Sequence, residues 1–210
     1  MSLKRRVGIL LTGCGAYDGS DPHESVLAML AFQEAGIEVV PLVHDALQFH
    51  VVDPTMGQEV DGESRRMMLE SARLVRGKLW TIEELSPKLL DGLILPGGQG
   101  PVKSLMQNFN PKEDPGVLPP IKEFLEGCHK AGAVFGAISL SEFLLTALFG
   151  PWPGNRGCFD LGPEDVLVDR ESRRLLTPGY TLATSLPQLN RGIRNLRDAM
   201  IQLMDEAVES

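Results

Sequence analysis

The stretch Ala133-Val134-Phe135-Gly136-Ala137-Ile138-Ser139-Leu140-Ser141 decides how this chain is read. Residues 133–138 have the unbroken apolar character of a strand buried on both faces. Residues 140–148 read as an apolar helix. Ser139 falls at the junction, with the small residues Ala137 and Ser141 two positions away on either side. A sharp strand-to-helix turn that exposes a nucleophile is crowded and needs small neighbours. The pattern therefore predicts a nucleophile elbow with Ser139 at its apex.

The rest of the chain supports a sheet on which such a turn can stand. Residues 7–12, 37–43 and 89–95 are further apolar runs of strand length. Helices are expected over 22–35, 62–76 and 115–131. In the first, Asp21 is the N-cap, Pro22 takes the first helical position and Gly36 stops the helix. Residues 49–52 suggest a short edge strand before Pro54. Residues 149–163, rich in Gly and Pro, read as an irregular connection. A hairpin over 166–169 and 174–177 and a last helix over 186–206 complete the chain. Strands alternating with helices mean an α/β sandwich with a mostly parallel sheet, in one domain over 1–210. Sites in such sheets lie beyond the carboxyl ends of the strands. Three loops leave those ends and carry unusual residues: 13–24, 96–100 and Ser139. They are expected to converge.

Composition limits the partners. Twenty Lys and Arg against twenty-eight Asp and Glu give a net charge of −8, which argues against nucleic acid and anionic membrane surfaces. No segment approaches the ~20 apolar residues of a membrane span, and the first residues do not resemble a signal or transit peptide. Cys14, Cys128 and Cys158 are an odd set without paired spacing, which suits a reducing compartment and leads to the expectation of a cytoplasmic protein.

Each chemically suggestive group has a plain alternative. Gly13-Cys14-Gly15 with Gly19, followed by Asp45, imitates a dinucleotide fingerprint. The helix starts too far downstream, and Asp18 and Asp21 would repel a phosphate. Glu24, three residues after Asp21, forms either a capping box or a carboxyl held near the elbow. His23, His44 and His50 match no metal spacing, so no metal and no cofactor is expected. Pro96-Gly97-Gly98-Gln99-Gly100 is either a tight turn or a source of backbone N–H for an oxyanion. Cys14 is either a small buried filler or a reactive thiol.

Taken together, Gly13-Cys14-Gly15-Ala16-Tyr17-Asp18-Gly19-Ser20 with His23-Glu24, Phe49-His50-Val51-Val52-Asp53, Gly62-Glu63-Ser64-Arg65, Glu70-Ser71-Ala72-Arg73, Leu95-Pro96-Gly97-Gly98 and Leu176-Thr177-Pro178 with Tyr180 resemble the ElbB-like branch of the ThiJ/PfpI superfamily. The resemblance spans about residues 7 to 182. It implies a class I glutamine-amidotransferase-like fold, a flavodoxin-like three-layer sandwich, a homodimer, and glyoxalase-type chemistry on small carbonyl compounds. It places Glu24 at the position of a glutamate that hydrogen-bonds the elbow thiol, and Gly98 and Leu140 at the oxyanion positions. It also leaves Gly15, Cys14 and His50 as binding candidates. Two departures stand out. Ser139 fills the position of the family's cysteine and Leu140-Ser141-Glu142 do not match. Residues 149–163 are also shorter than their counterpart, which implies a more open site.

A thiol at a helix N-terminus ionises when its pKa falls from ~8.5 toward neutrality, whereas a serine hydroxyl needs a general base within hydrogen-bond reach. No histidine follows Ser139; His23, His44, His50 and His129 all precede it. Three expectations result: a catalytically degenerate family member with a small-metabolite pocket, a weak enzyme using Ser139 with Glu24 or Cys14, and a regulatory homodimer.

Overall fold

The computed structural model describes residues 4–107 and 116–206. In chain order its elements are β1 (Arg6–Leu11), α1 (Pro22–Glu34), β2 (Glu38–Val43), β3 (Val52–Asp53), β4 (Gln58–Glu59), α2 (Met67–Val75), β5 (Trp80–Thr81), β6 (Gly92–Leu95), α3 (Gly100–Leu105), α4 (Pro119–Lys130), β7 (Val134–Ile138), α5 (Glu142–Phe149), β8 (Leu167–Asp169), β9 (Arg174–Thr177) and α6 (Leu186–Glu206). Seven strands form one sheet in the order β5-β2-β1-β6-β7-β9-β8. Every described pair in it is parallel except the β8–β9 hairpin.

Period-two alternation along strands buried on both faces builds two cores. Val7, Ile9 and Leu11 of β1, with Ile94, Val134 and Leu175, pack under α1 and α6. Leu10, Leu42, Leu93, Leu95, Phe135 and Leu176 point the other way, toward α2 to α5. Each such side chain is almost wholly buried and contributes roughly 1.5–3 kcal/mol of transfer free energy. The expected α/β class and flavodoxin-like sandwich are therefore present.

Element boundaries shift where local chemistry is ambiguous. The helix expected from 62 starts at Met67, because Gly62 turns at φ 77° and Arg66 before the helix is extended. The edge strand expected at 49–52 is instead the two-residue β3, paired antiparallel with β4 in a separate small sheet. The strand expected from 89 begins at Gly92, after a single 3₁₀ turn at Pro87–Leu89. Of the helix expected over 115–131, residue 115 lies outside the described residues, and α4 begins at Pro119. β5 has no counterpart among the expected strands, being two residues long.

Topology sets where a site can form. The chain leaves β1 through α1 to β2 on one side, then returns across β1 to β6 on the other. The carboxyl ends of β1, β6 and β7 thus flank the switch point, and they feed the three loops singled out in the sequence.

Candidate active site at the strand ends

The three loops meet. Asp21 N–H donates to Gly97 O at 2.9 Å, Gln99 N–H to Ala16 O at 2.9 Å, and Gly100 N–H to Gly19 O at 2.9 Å. The second and third contacts tie α3 directly to the first loop. Gly97 lies between the other two loops, since a methyl placed on it would lie 2.6 Å from both Glu24 Oε2 and Ser139 Cβ. Gly98, at φ 85°, turns the chain with backbone of the first loop pressed against it.

Ser139 occupies a left-handed conformation at φ 56°, unfavourable for a residue with a Cβ. Ser141 stabilises the turn. Its hydroxyl donates to Leu95 O at 2.6 Å and accepts from Ile138 N–H at 3.0 Å, so this buried polar group is satisfied inside the bend. A 3₁₀ turn (Ser139–Ser141) leads into α5. The Ser139 hydroxyl lies 2.8 Å from the Thr181 hydroxyl.

Glu24 is fully buried on the first turn of α1. Asp21 caps this helix, accepting from His23 N–H at 2.9 Å and Glu24 N–H at 3.0 Å. The reciprocal half of a capping box is absent, because the Glu24 carboxyl turns inward. Oε2 accepts from Gly97 N–H at 2.7 Å and Oε1 from Tyr180 N–H at 2.8 Å. Burial pushes its pKa up to about 8, against the two N–H donors that favour the anion. At neutral pH this carboxyl is mainly protonated.

The other candidates lie differently from expectation. Gly15 uses its N–H within its own loop, on Ser20 O at 2.9 Å, and so offers no free donor. Cys14 is half-buried, and burial together with nearby Glu70 raises its pKa, making it a weaker nucleophile. Asp18 turns into the first loop and accepts from Val52 N–H at 3.0 Å, placing a carboxylate where a dinucleotide phosphate would sit. No described histidine is recorded within hydrogen-bond distance of the Ser139 hydroxyl. His23 Nδ1 pairs with the Tyr180 hydroxyl at 2.9 Å, His44 Nδ1 with Glu83 at 3.0 Å, and His50 Nε2 with Lys103 at 2.8 Å. Among the described residues no cluster of three metal-ligating side chains forms, and no helix is long and apolar enough to cross a membrane.

Sequence reasoning missed the partners that reach the elbow from far along the chain. Thr181 and Tyr180 come from a 3₁₀ turn after β9 (Gly179–Thr181). Cys158, from the irregular connection, points its thiol at Ser139 O at 3.4 Å and donates its N–H to Glu142 at 2.9 Å. Burial pushes that thiol far above its ordinary range, so it acts as a donor and not as a nucleophile. The connection itself is anchored by Arg174. Buried beneath it, this guanidinium holds Asp169 at 2.8 Å, donates to Gly150 O at 2.9 Å and Pro151 O at 2.7 Å, and stacks 4.3 Å from the Trp152 ring. The expected opening of the site is not observed: Ser139 is only 5% exposed. A groove of about 740 Å³, lined by Ile82, Leu85, Phe124 and Lys130, touches none of Ser139, Glu24 or Gly98. Only Tyr180 carried a sequence signal, through its family motif.

No family model matches the chain. A human protein, glutamine amidotransferase-like class 1 domain-containing protein 3, mitochondrial, is 30% identical over 94% of this chain and 83% of its own length. The rat ES1 protein homolog, mitochondrial, is 28% identical over 95% of this chain and 84% of its own. Among solved structures, an isoprenoid biosynthesis protein with an amidotransferase-like domain from Ehrlichia chaffeensis superposes with a TM-score of 0.85 at 26% identity, covering 94% of this chain and 99% of that one. A DJ-1 superfamily protein from Salmonella typhimurium shares the fold at a TM-score of 0.54 and 16% identity, over 98% of this chain and 96% of its own. The mitochondrial relatives overturn the cytoplasmic expectation. Unpaired cysteines report a reducing surrounding and carry no address. With a sheet, loop geometry and relatives that agree, the chain belongs to the glutamine amidotransferase-like class 1 domain family.

Proposed function

We propose that this chain is a catalytically degenerate member of its family, in which Ser139 takes the place of an elbow cysteine and the elbow is kept as architecture. One observation carries the reading: the recorded partner of the Ser139 hydroxyl is another hydroxyl, Thr181 at 2.8 Å. A serine becomes a nucleophile when a base takes its proton, and a threonine hydroxyl is no such base. Glu24 is equally unsuited, because a carboxyl with a pKa of about 8 is already mainly protonated at pH 7. That state suits a donor toward a thiolate and leaves nothing to accept a serine proton. In this reading the chain is one domain. A small carbonyl compound is the ligand this reading assigns to the N–H groups of Gly98 and Leu140.

The test is turnover of methylglyoxal and simple esters by the wild type, Ser139→Ala and Ser139→Cys. The expected result is wild-type activity no higher than Ser139→Ala, with activity appearing in Ser139→Cys. Wild-type turnover that disappears in Ser139→Ala overturns the proposal and restores the weak-enzyme reading.

A further inference from the structure

His50 sets both ring nitrogens against charged side chains, and neither takes part in the hydrogen bonds described at Ser139. Its Nε2 lies 2.8 Å from Lys103 Nζ. Its Nδ1 lies 3.4 Å from a carboxylate oxygen of Glu59, at ion-pair distance but without hydrogen-bond alignment, so this buried nitrogen has no other partner among the described residues. Two of the three positions are held by regular backbone. Lys103 sits on α3, whose start is pinned to the first loop through Gln99 and Ala16. Glu59 sits on β4, directly opposite Val52 of β3. Lys103 Nζ is also 3.4 Å from Tyr17 O. The Phe49 ring stands edge-on to His50 with centroids 5.3 Å apart, and both Tyr17 and Phe49 are exposed.

Nucleophile, base and carboxylate in that order is the arrangement that activates a covalent catalyst. We propose that Lys103 is a nucleophilic amine that forms an imine with a small aldehyde or ketone, with His50 as its general base and Glu59 as the positioning residue for His50. The atoms balance without any further reactant. The Lys103 ammonium passes one proton along its hydrogen bond to His50 Nε2. The freed lone pair attacks the carbonyl carbon, a C–N bond forms as the C=O π bond breaks, and a proton moves from the new ammonium nitrogen to the oxygen to give a carbinolamine. Loss of water then leaves the imine. His50 becomes an imidazolium as it accepts the proton, and its Nδ1–H faces the Glu59 carboxylate.

The electrostatics agree with that role. Burial lowers the pKa of Lys103, while Asp18 and Glu59 act in the opposite direction. The same two carboxylates disfavour an anionic ligand, which is why a neutral carbonyl is the class assigned. His50 was singled out in the sequence, but the elbow leaves it unused.

Reductive trapping tests the assignment on the full chain. The protein is incubated with propanal and sodium cyanoborohydride, and alkylation is followed at each lysine by peptide mass spectrometry. Lys103 is expected to label on the order of 10-fold faster than Lys78, Lys88, Lys122 or Lys130, the scale of a modest general-base contribution. His50→Ala, with native circular dichroism retained, is expected to bring Lys103 down to the rate of those lysines. Glu59→Gln is expected to slow it by about threefold. Its side chain is 61% exposed, so the fold tolerates the change and this variant decides the matter should His50→Ala unfold. Labelling of Lys103 no faster than the surface lysines overturns the proposal, and so does a rate unchanged in the native variants. The readout requires no turnover at Ser139, so this inference and the degenerate elbow stand or fall separately.

Discussion

Ser139 stands on a strained turn at φ 56°, carboxyl-terminal to a central strand, with a threonine hydroxyl 2.8 Å away. Lys103 stands on an ordinary helix with an imidazole 2.8 Å away and a carboxylate behind it. The first position has the backbone of a nucleophile and no base. The second has a base and no special backbone. Holding a side chain up at a strand end and removing its proton are separate physical requirements. The fold meets the first through packing around Gly97 and Ser141, whatever residue occupies the apex. The second depends on single side chains, and these are easily gained or lost.

Three substitutions at the elbow probe this contrast, and the largest effect belongs to Glu24. A buried carboxyl whose pKa is raised from 4.5 to about 8 binds its proton more tightly in the folded state. Its contribution to stability is therefore whole below about pH 4.5, falls as pH rises, and is lost above about pH 8. At 1.36 kcal/mol per pKa unit, the difference is on the order of 5 kcal/mol. Glu24→Gln removes this titration. It lowers stability at acid pH, because an amide nitrogen faces one of the two N–H donors, but its stability is much flatter from pH 5 to 9. Urea unfolding of both proteins at pH 5, 7 and 9 checks the slope. Parallel curves would mean that Glu24 is ionised in the folded protein, reopening it as a base for Ser139.

Gly97→Ala tests the packing side of the contrast. Its methyl would meet Glu24 Oε2 and Ser139 Cβ, both at 2.6 Å. The expected cost is about 1–3 kcal/mol, measured by denaturant midpoint. A neutral result would show that the elbow yields easily and is not held by its neighbours.

Ser139→Gly gives the smallest effect. Glycine reaches φ 56° without the Cβ penalty, but it gives up the hydrogen bond to Thr181 and gains freedom in the unfolded chain. A net gain of up to about 1 kcal/mol is expected, read as a rise in Tm. A loss of more than that would assign the Ser139–Thr181 pair a stabilising role of its own.

Much of this architecture was legible in the chain because the signals are local. The apolar runs of β1, β6 and β7, the Asp21 cap with Pro22, and the small residues around Ser139 each act over a few positions. The last helix, α6, spans the expected 186–206 because a long amphipathic pattern leaves little ambiguity. The exceptions have equally local causes: Gly62 at positive φ delayed α2, and two-residue strands such as β3 and β5 are too short to show a period.

The candidate sites divide the same way. Ser139, Glu24 and Gly98 could be named because a strand end, a helix start and a Pro-Gly-Gly turn are patterns of neighbouring residues. The partners that settle their chemistry are far apart in the chain. Thr181 lies 42 residues from Ser139, Cys158 lies 19 from it, and Tyr180 lies 156 from Glu24. Lys103 lies 53 from His50. Periodicity and turn chemistry act through the backbone between adjacent residues, so a linear reading reaches the fold and the apex of its elbow. Hydrogen-bond reach and burial depend on where the sheet order delivers each loop. Only the folded chain decides that Glu24 holds its proton, that Ser139 faces a hydroxyl, and that the imidazole stands beside a lysine.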